Sequence, residues 1–284
     1  MNAGVEAEVS IDELTPALAV IGDPGRAARE TPDGPPPDVI GPSDIALSGA
    51  TLPGMRILAA STRGVQHRVL HTPRQDAFAL GQRGGSLAVA VVCDGVGSLD
   101  RSDYAAAMVS ADLATAGAEG APWPEAFASA NARLAASAAE WAATGSAMAT
   151  TAVAVSVSRS AGRWLGEVAW VGDSPLWHLG DDGRWRPVTP VADGGGGFHS
   201  SGVRAMPTSD GGCSWCSFLL TGGALFAMTD GVGNPLAWSA EVRDTLARWW
   251  ARPPDPLTFA AQVGFARKSH VDDRTVVGIW PGGE

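Results

Sequence analysis
The chain has 284 residues and a formal net charge of −10, long enough to bury a substantial core without covalent staples. Its only lysine is Lys268, and nine of its acids stand in the first fifty residues against Arg26 and Arg29; with no basic stripe, nucleic acid is excluded as the main partner. Three cysteines, Cys93, Cys213 and Cys216, make no disulfide framework, and the apolar runs are broken well before membrane-spanning length, so a soluble, cytoplasmic monomer with no membrane segment is expected.

Residues 1–52 include the run GDPGRAARETPDGPPPDVIGP, where Pro and Gly break regular elements and charge opposes collapse. They read as a flexible acidic leader, and residues 53–284 as the folded domain. Short apolar runs ended by Gly or Asp then follow: RILAAST at 56, DAFALGQ at 76, SLAVAVVC at 86, ATTAVAVSVS at 149, RWLGEVAWVG at 163, PLWHLG at 175, ALFAMTD at 224 and RTVVGIW at 274. Each is predicted as a strand. The alanine-rich segments Ser102–Ala118 and Pro124–Ala143 are predicted as helices, the second with Phe127, Leu134 and Trp141 seven residues apart. A second helical pair is predicted near the C-terminus, one face carrying Trp238, Val242, Leu246 and Trp249, the next Leu257, Ala260 and Val263. The tryptophans are expected in the core or on the sheets. Strands in runs with helices in pairs indicate an α+β layered domain with mostly antiparallel sheets. The glycine-rich stretch Ala192–Cys216 reads as a mobile loop or flap near a site, or as a long surface connection.

The informative signal is where the strands stop. Asp94 follows AVAVVC, Asp173 follows EVAWVG, Asp230 follows ALFAMT, Asp76 opens AFAL, and Asp272 with Asp273 precedes RTVVGIW. A single Asp-Gly at a strand end is a turn; repetition along one chain calls for another cause. Converging carboxylates repel and take up protons unless cations compensate them. Oxygen donors with few His or Cys nearby select Mg²⁺ or Mn²⁺ over zinc. Two such ions suit in-line displacement at phosphorus, so phosphate hydrolysis is the expected chemistry.

In order, RQDAF, CDGVGS, GSAMATTAVAV, WVGDSPLWHL, AMTDGVG and DDRTVV resemble the motifs of the metal-dependent protein phosphatases, the PPM or type 2C family. The likeness runs from Ala59 to Trp280, and RGVQH before QDAF is similar to a bacterial branch with Gly and His ahead of a Gln-Asp pair. The resemblance implies a four-layer αββα sandwich with the metals at one end of two sheets flanked by helix pairs. It implies two central Mn²⁺ or Mg²⁺ ions, bridged by Asp94 and completed by the Gly95 carbonyl, with Asp230 and Asp272 on the second ion. Asp76 would act through water on the metal, and Asp173 would lie where a third ion binds. The implied activity is that of a Ser/Thr phosphoprotein phosphatase in which a hydroxide bridging the metals attacks phosphorus. A phosphorylated protein, a Ser/Thr kinase or its target, would be the partner.

The chain departs from the family pattern at His71, where many members carry a phosphate-gripping arginine, and at Gln75, Val96 and Ser98. Asn234 takes the place of a third-metal aspartate, which weakens that site. His67, His71 and Arg74 are therefore the phosphate-proximal candidates. The spacing of His67 and His71 fits a zinc pair only on a helix, and the context reads as strand or loop. CSWC at 213 has zinc or redox spacing without a second pair. His71, Asn234 and Gln75 also motivate an alternative, a non-catalytic phosphatase-like binding or regulatory module. A metabolite phosphatase with a closed pocket is a third reading.

Overall fold
The computed structural model describes residues 20–23, 43–191 and 204–282. Its eleven strands, in chain order, are β1 (Ile45–Leu52), β2 (Met55–Thr62), β3 (Ala77–Arg83), β4 (Leu87–Cys93), β5 (Ala152–Ser160), β6 (Arg163–Val171), β7 (Leu176–Leu179), β8 (Trp185–Pro187), β9 (Ser214–Leu220), β10 (Ala224–Met228) and β11 (Arg274–Pro281). The helices are α1 (Val65–Val69), α2 (Ser102–Glu119), α3 (Trp123–Ala142), α4 (Asp230–Trp238), α5 (Ala240–Trp250) and α6 (Pro256–Val263). One sheet has the order β1-β2-β11-β10-β7-β8 and the other β3-β4-β5-β6-β9. Every strand pairing within them is antiparallel.

Strand periodicity builds the layers. In β4, Ala88, Ala90 and Val92 pack between the sheets while Val89, Val91 and Cys93 pack under α2 and α3. In β10, Leu225 and Ala227 face inward between the sheets while Phe226 and Met228 meet α5 and α6. Two-residue alternation with both faces buried leaves these strands no polar side. The result is the expected sandwich of helices, sheet, sheet and helices. Helix ends follow local chemistry: Gly120 takes a left-handed φ of 85° after α2, and Asp255 caps α6 by accepting from Leu257 N and Thr258 N.

The domain begins before residue 53. Ile45–Leu52, assigned by sequence to the leader, is an edge strand paired along its length with β2, and Asp44 ties its start to Arg63 at 2.7 Å. Farther upstream, Ile21 is 2% exposed and joins the cluster of Leu246, Phe259 and Phe265. Its backbone is held by Ala266 O and by Arg267 Nη1. Truncating Ile21→Ala is expected to lower the unfolding free energy by about 2 kcal/mol or more. An unchanged urea midpoint would show that this contact stabilises nothing.

The structure corrects the sequence reading elsewhere. β8 and β9 were not expected, α1 replaces the strand or loop around His67, and the AMTDGVG turn opens α4. The predicted face Trp238–Val242–Leu246–Trp249 is broken at Ser239, which ends α4 and caps α5; Trp238 is exposed and Trp250 takes the core position. Trp250 stacks on Phe226 at 5.1 Å. Within the glycine-rich stretch, residues 192–203 lie outside the described residues. Residues 204–213 are anchored, with Met206 paired to Thr150 and Thr208 N donating to Asn131 Oδ1 at 2.7 Å. Cys213 packs on the helix side of the second sheet and Cys216 between the sheets, so the CxxC spacing brings the two thiols to opposite faces. Among the described residues, no helix is long and apolar enough to cross a membrane.

Candidate metal centre
The antiparallel registers bring the strand-end acids to one end of the sandwich. Ala77 opposes Cys93, placing Asp76 and Asp94 side by side, and Met228 opposes Val276, placing Asp230 near Asp272. Val171 opposes Ala152, and Val153 opposes Val92, so Asp173 arrives at the same end. Asp94 is pinned through its carbonyl by Thr151 N at 2.8 Å and Thr150 Oγ1 at 2.9 Å. Asp76, 4% exposed, accepts at Oδ2 from the hydroxyls of Thr229 and Thr275, both at 2.8 Å, one from each neighbouring strand end of the other sheet. Two donors on one oxygen fix the carboxylate's orientation.

Electrostatically the group is costly. Burial, then the fields of Asp76, Asp230, Asp272 and Asp173, hold the Asp94 carboxyl well above the usual range. Burial and Asp273 do the same to Asp76, and Asp230 is pushed up to about 7 by burial, Asp272 and Asp173. Nearby positive charge offsets this only in part: burial still holds Asp272 above its ordinary range, although the fields of His67 and Arg274 lower it. Arg274 is 5% exposed, donates to His270 O and lies over the Phe265 ring. Arg74 donates to the Asp76 carbonyl at 3.1 Å and Arg63 pairs with Asp44. An all-oxygen set of mutually repelling carboxylates fits hard divalent cations and is poorly explained by folding stability.

The phosphate-proximal candidates separate. His71 is exposed in a turn with φ 55°, whereas His67 is buried and its Nδ1 donates to Asp273 Oδ1 at 2.8 Å; that bond raises the His67 pKa against the effect of burial. His67, Asp272 and Asp273 place possible ligand atoms within 4.8 Å of one another. Asp273, however, is 2% exposed and already saturated: Oδ1 also accepts from Gly64 N at 2.6 Å, and Oδ2 from Gln75 N at 2.6 Å and Asp76 N at 3.4 Å. Asn234, where the resemblance leads one to expect a third-metal aspartate, donates its amide to Asp230 Oδ2 at 3.3 Å.

Sequence reasoning placed Asp273 among the strand-end acids without giving it a role, and did not single out Thr229, Thr275 or Thr150 as parts of this end. The parity of β11 carries the missing signal: residues 273, 275, 277 and 279 share the side facing the second sheet, where Asp76 enters. Glycine is required where backbones cross here. A Cβ on Gly231 would collide with the Asp273 carbonyl oxygen, and one on Gly64 with the main chain of Val271 and Asp272.

A family profile described as Protein phosphatase 2C matches residues 63–261. The chain belongs to that family, whose members are metal-dependent Ser/Thr protein phosphatases. Solved structures share the fold. The S. agalactiae serine/threonine phosphatase aligns over 80% of this chain and 99% of its own at 17% identity, TM-score 0.60. Serine/threonine phosphatase Stp1 from Staphylococcus aureus aligns over 83% and 97% at 17% identity, TM-score 0.55. RsbX in complex with magnesium aligns over 83% and 100% at 12% identity, TM-score 0.52. No curated protein matches the sequence.

Proposed function
We propose that the chain hydrolyses phosphoserine and phosphothreonine in proteins, with Asp94, Asp230 and Asp272 and the Gly95 carbonyl holding two central Mn²⁺ or Mg²⁺ ions. Asp173 would hold a third, weaker ion. The observation that carries this reading is the convergence of five strand-end carboxylates, Asp76 buried, Asp94, Asp173 and Asp230 half-buried and Asp272 at the solvent side, with no cation among the groups acting most strongly on Asp94. Bound divalent ions would supply positive charge for phosphoryl oxygens and a water of near-neutral pKa. The chain's own part is positioning. Thr150 and Thr151 hold Asp94, and Thr229 and Thr275 hold Asp76, so the acids keep their places when charged. Val96 offers no proton to a leaving alkoxide, and neither His67, bonded to Asp273, nor His71, in its exposed turn, is placed as a general acid.

The test is hydrolysis of an aryl phosphate and a phosphothreonine peptide in chelator, Mg²⁺ or Mn²⁺. Turnover only with metal, and on the peptide, is the expected result. No turnover with either ion from folded protein would overturn it in favour of a binding module. Turnover of the aryl phosphate but of no phosphopeptide would point to a small phosphomonoester substrate. A phosphoprotein of a Ser/Thr kinase pathway is the partner this reading proposes.

A further inference from the structure
We infer that Asp273 and His67 form a buried positioning pair that sets the geometry of the metal centre without binding metal. The inference rests on the metal reading above. Asp273 ties three of the centre's segments together: from the start of β11 it holds the start of α1 through Gly64 and His67, and the residues that open β3 through Gln75 and Asp76. Its own backbone follows Asp272, whose Oδ1 accepts from Asp273 N at 2.9 Å. Asp272 and Asp76 come from different sheets, and this carboxylate is the direct polar link between their main chains.

Both oxygens of Asp273 face only N–H groups. A cation would have to displace those donors, so the residue cannot serve as a ligand while they stay bonded. An amide at this position must turn its NH₂ onto two of the same donors, so carboxylate and amide are not interchangeable here. His67 supplies the one side-chain donor of the set, which joins α1 to the pair. Groups that orient metal ligands in this way typically account for 10- to 100-fold in metal affinity.

The experiment is calorimetric titration of Mn²⁺ into wild type, His67→Ala, His67→Asn, Asp273→Asn and the double variant His67→Ala/Asp273→Asn. Each is first shown to be folded by circular dichroism. Asparagine can place its Nδ2 where the histidine Nδ1 sits. Expected are Mn²⁺ affinities about 10-fold or more weaker for His67→Ala and Asp273→Asn, near wild type for His67→Asn, and no weaker in the double variant than in Asp273→Asn alone. Wild-type affinity in folded His67→Ala and Asp273→Asn would overturn the inference and leave the metal reading intact. Additive losses in the double variant would also overturn it, because the two residues would then act independently. Should Asp273→Asn not fold, the contrast between His67→Ala and His67→Asn decides alone: equal affinities overturn the inference. A wild type that binds no Mn²⁺ would overturn both it and the metal reading.

Discussion
Asp94→Asn is expected to abolish metal-dependent phosphatase turnover and at the same time to stabilise the metal-free protein. The two effects have one cause. Asp94 ends a strand whose other residues are apolar, and the groups acting on it are burial and four other aspartates. On the proposed metal reading this concentration of charge is what would bind the ions. Without metal it opposes folding, because the carboxylate must either ionise beside like charges or hold a proton. Replacing it by an amide of the same shape removes one repelling charge and keeps the carbonyl bonds from Thr150 and Thr151. Turnover should fall by roughly 10³ or more, about 4 kcal/mol on the barrier. In chelator the melting temperature should rise by about 2–4 °C for each kcal/mol of repulsion relieved. A melting temperature that falls in chelator would show that Asp94 has a structural partner, and preserved turnover would remove it from the centre. The opposition of sign is the mark of a group kept for function at a cost in stability.

The layered fold was legible because its signal is local. Two-residue alternation in β4, β5 and β10 and one-faced helices depend only on which side of an element is buried, and the sandwich follows from that. β1 was missed because Ser48, Gly49 and Thr51 dilute its apolar residues, and as an edge strand it is exposed at many positions. β9 stood behind a glycine-rich stretch, with Trp215 and Leu219 exposed. Ile21 ends the short apolar run of residues 17–21 ahead of an acidic, Pro- and Gly-rich stretch, and its burial depends on side chains of α5 and α6 far along the chain. In the centre, acids at strand ends could be found from spacing. The hydrogen-bonding role of Asp273 could not, because it depends on His67 of α1, 206 residues away in sequence. Adjacent Asp272 and Asp273 look alike on paper; the strand places the first at the solvent side and the second inside.

The metal-free protein is also expected to lose stability as pH rises from about 4 to 8, opposite to the usual behaviour of a carboxylate-rich domain. In the unfolded chain Asp230 titrates near its ordinary value of 3.8, and in the folded chain near 7. A raised carboxylate binds its proton more tightly when folded, so its contribution is fully present below pH 3.8 and is lost as pH climbs through 7, by at most about 4 kcal/mol. Asp94 and Asp76 shift in the same direction. His67, raised by Asp273, adds stability that is likewise lost as pH rises through its folded pKa. His270, lowered by burial, works the other way, but it is one group against all of these and against Asp173 and Asp272, which are raised as well. The surface acid Asp182, lowered to about 2 by Arg186, acts only below this window. Urea midpoints in chelator should therefore be higher at pH 5.5 than at pH 8, and Mn²⁺ should reverse the order, since metal displaces the same protons and binds more tightly as pH increases. A flat profile in chelator, or one that rises with pH, would mean that the carboxylates share their charge with groups other than one another, and the case for a cation-binding centre at this end of the sheets would lose its electrostatic basis.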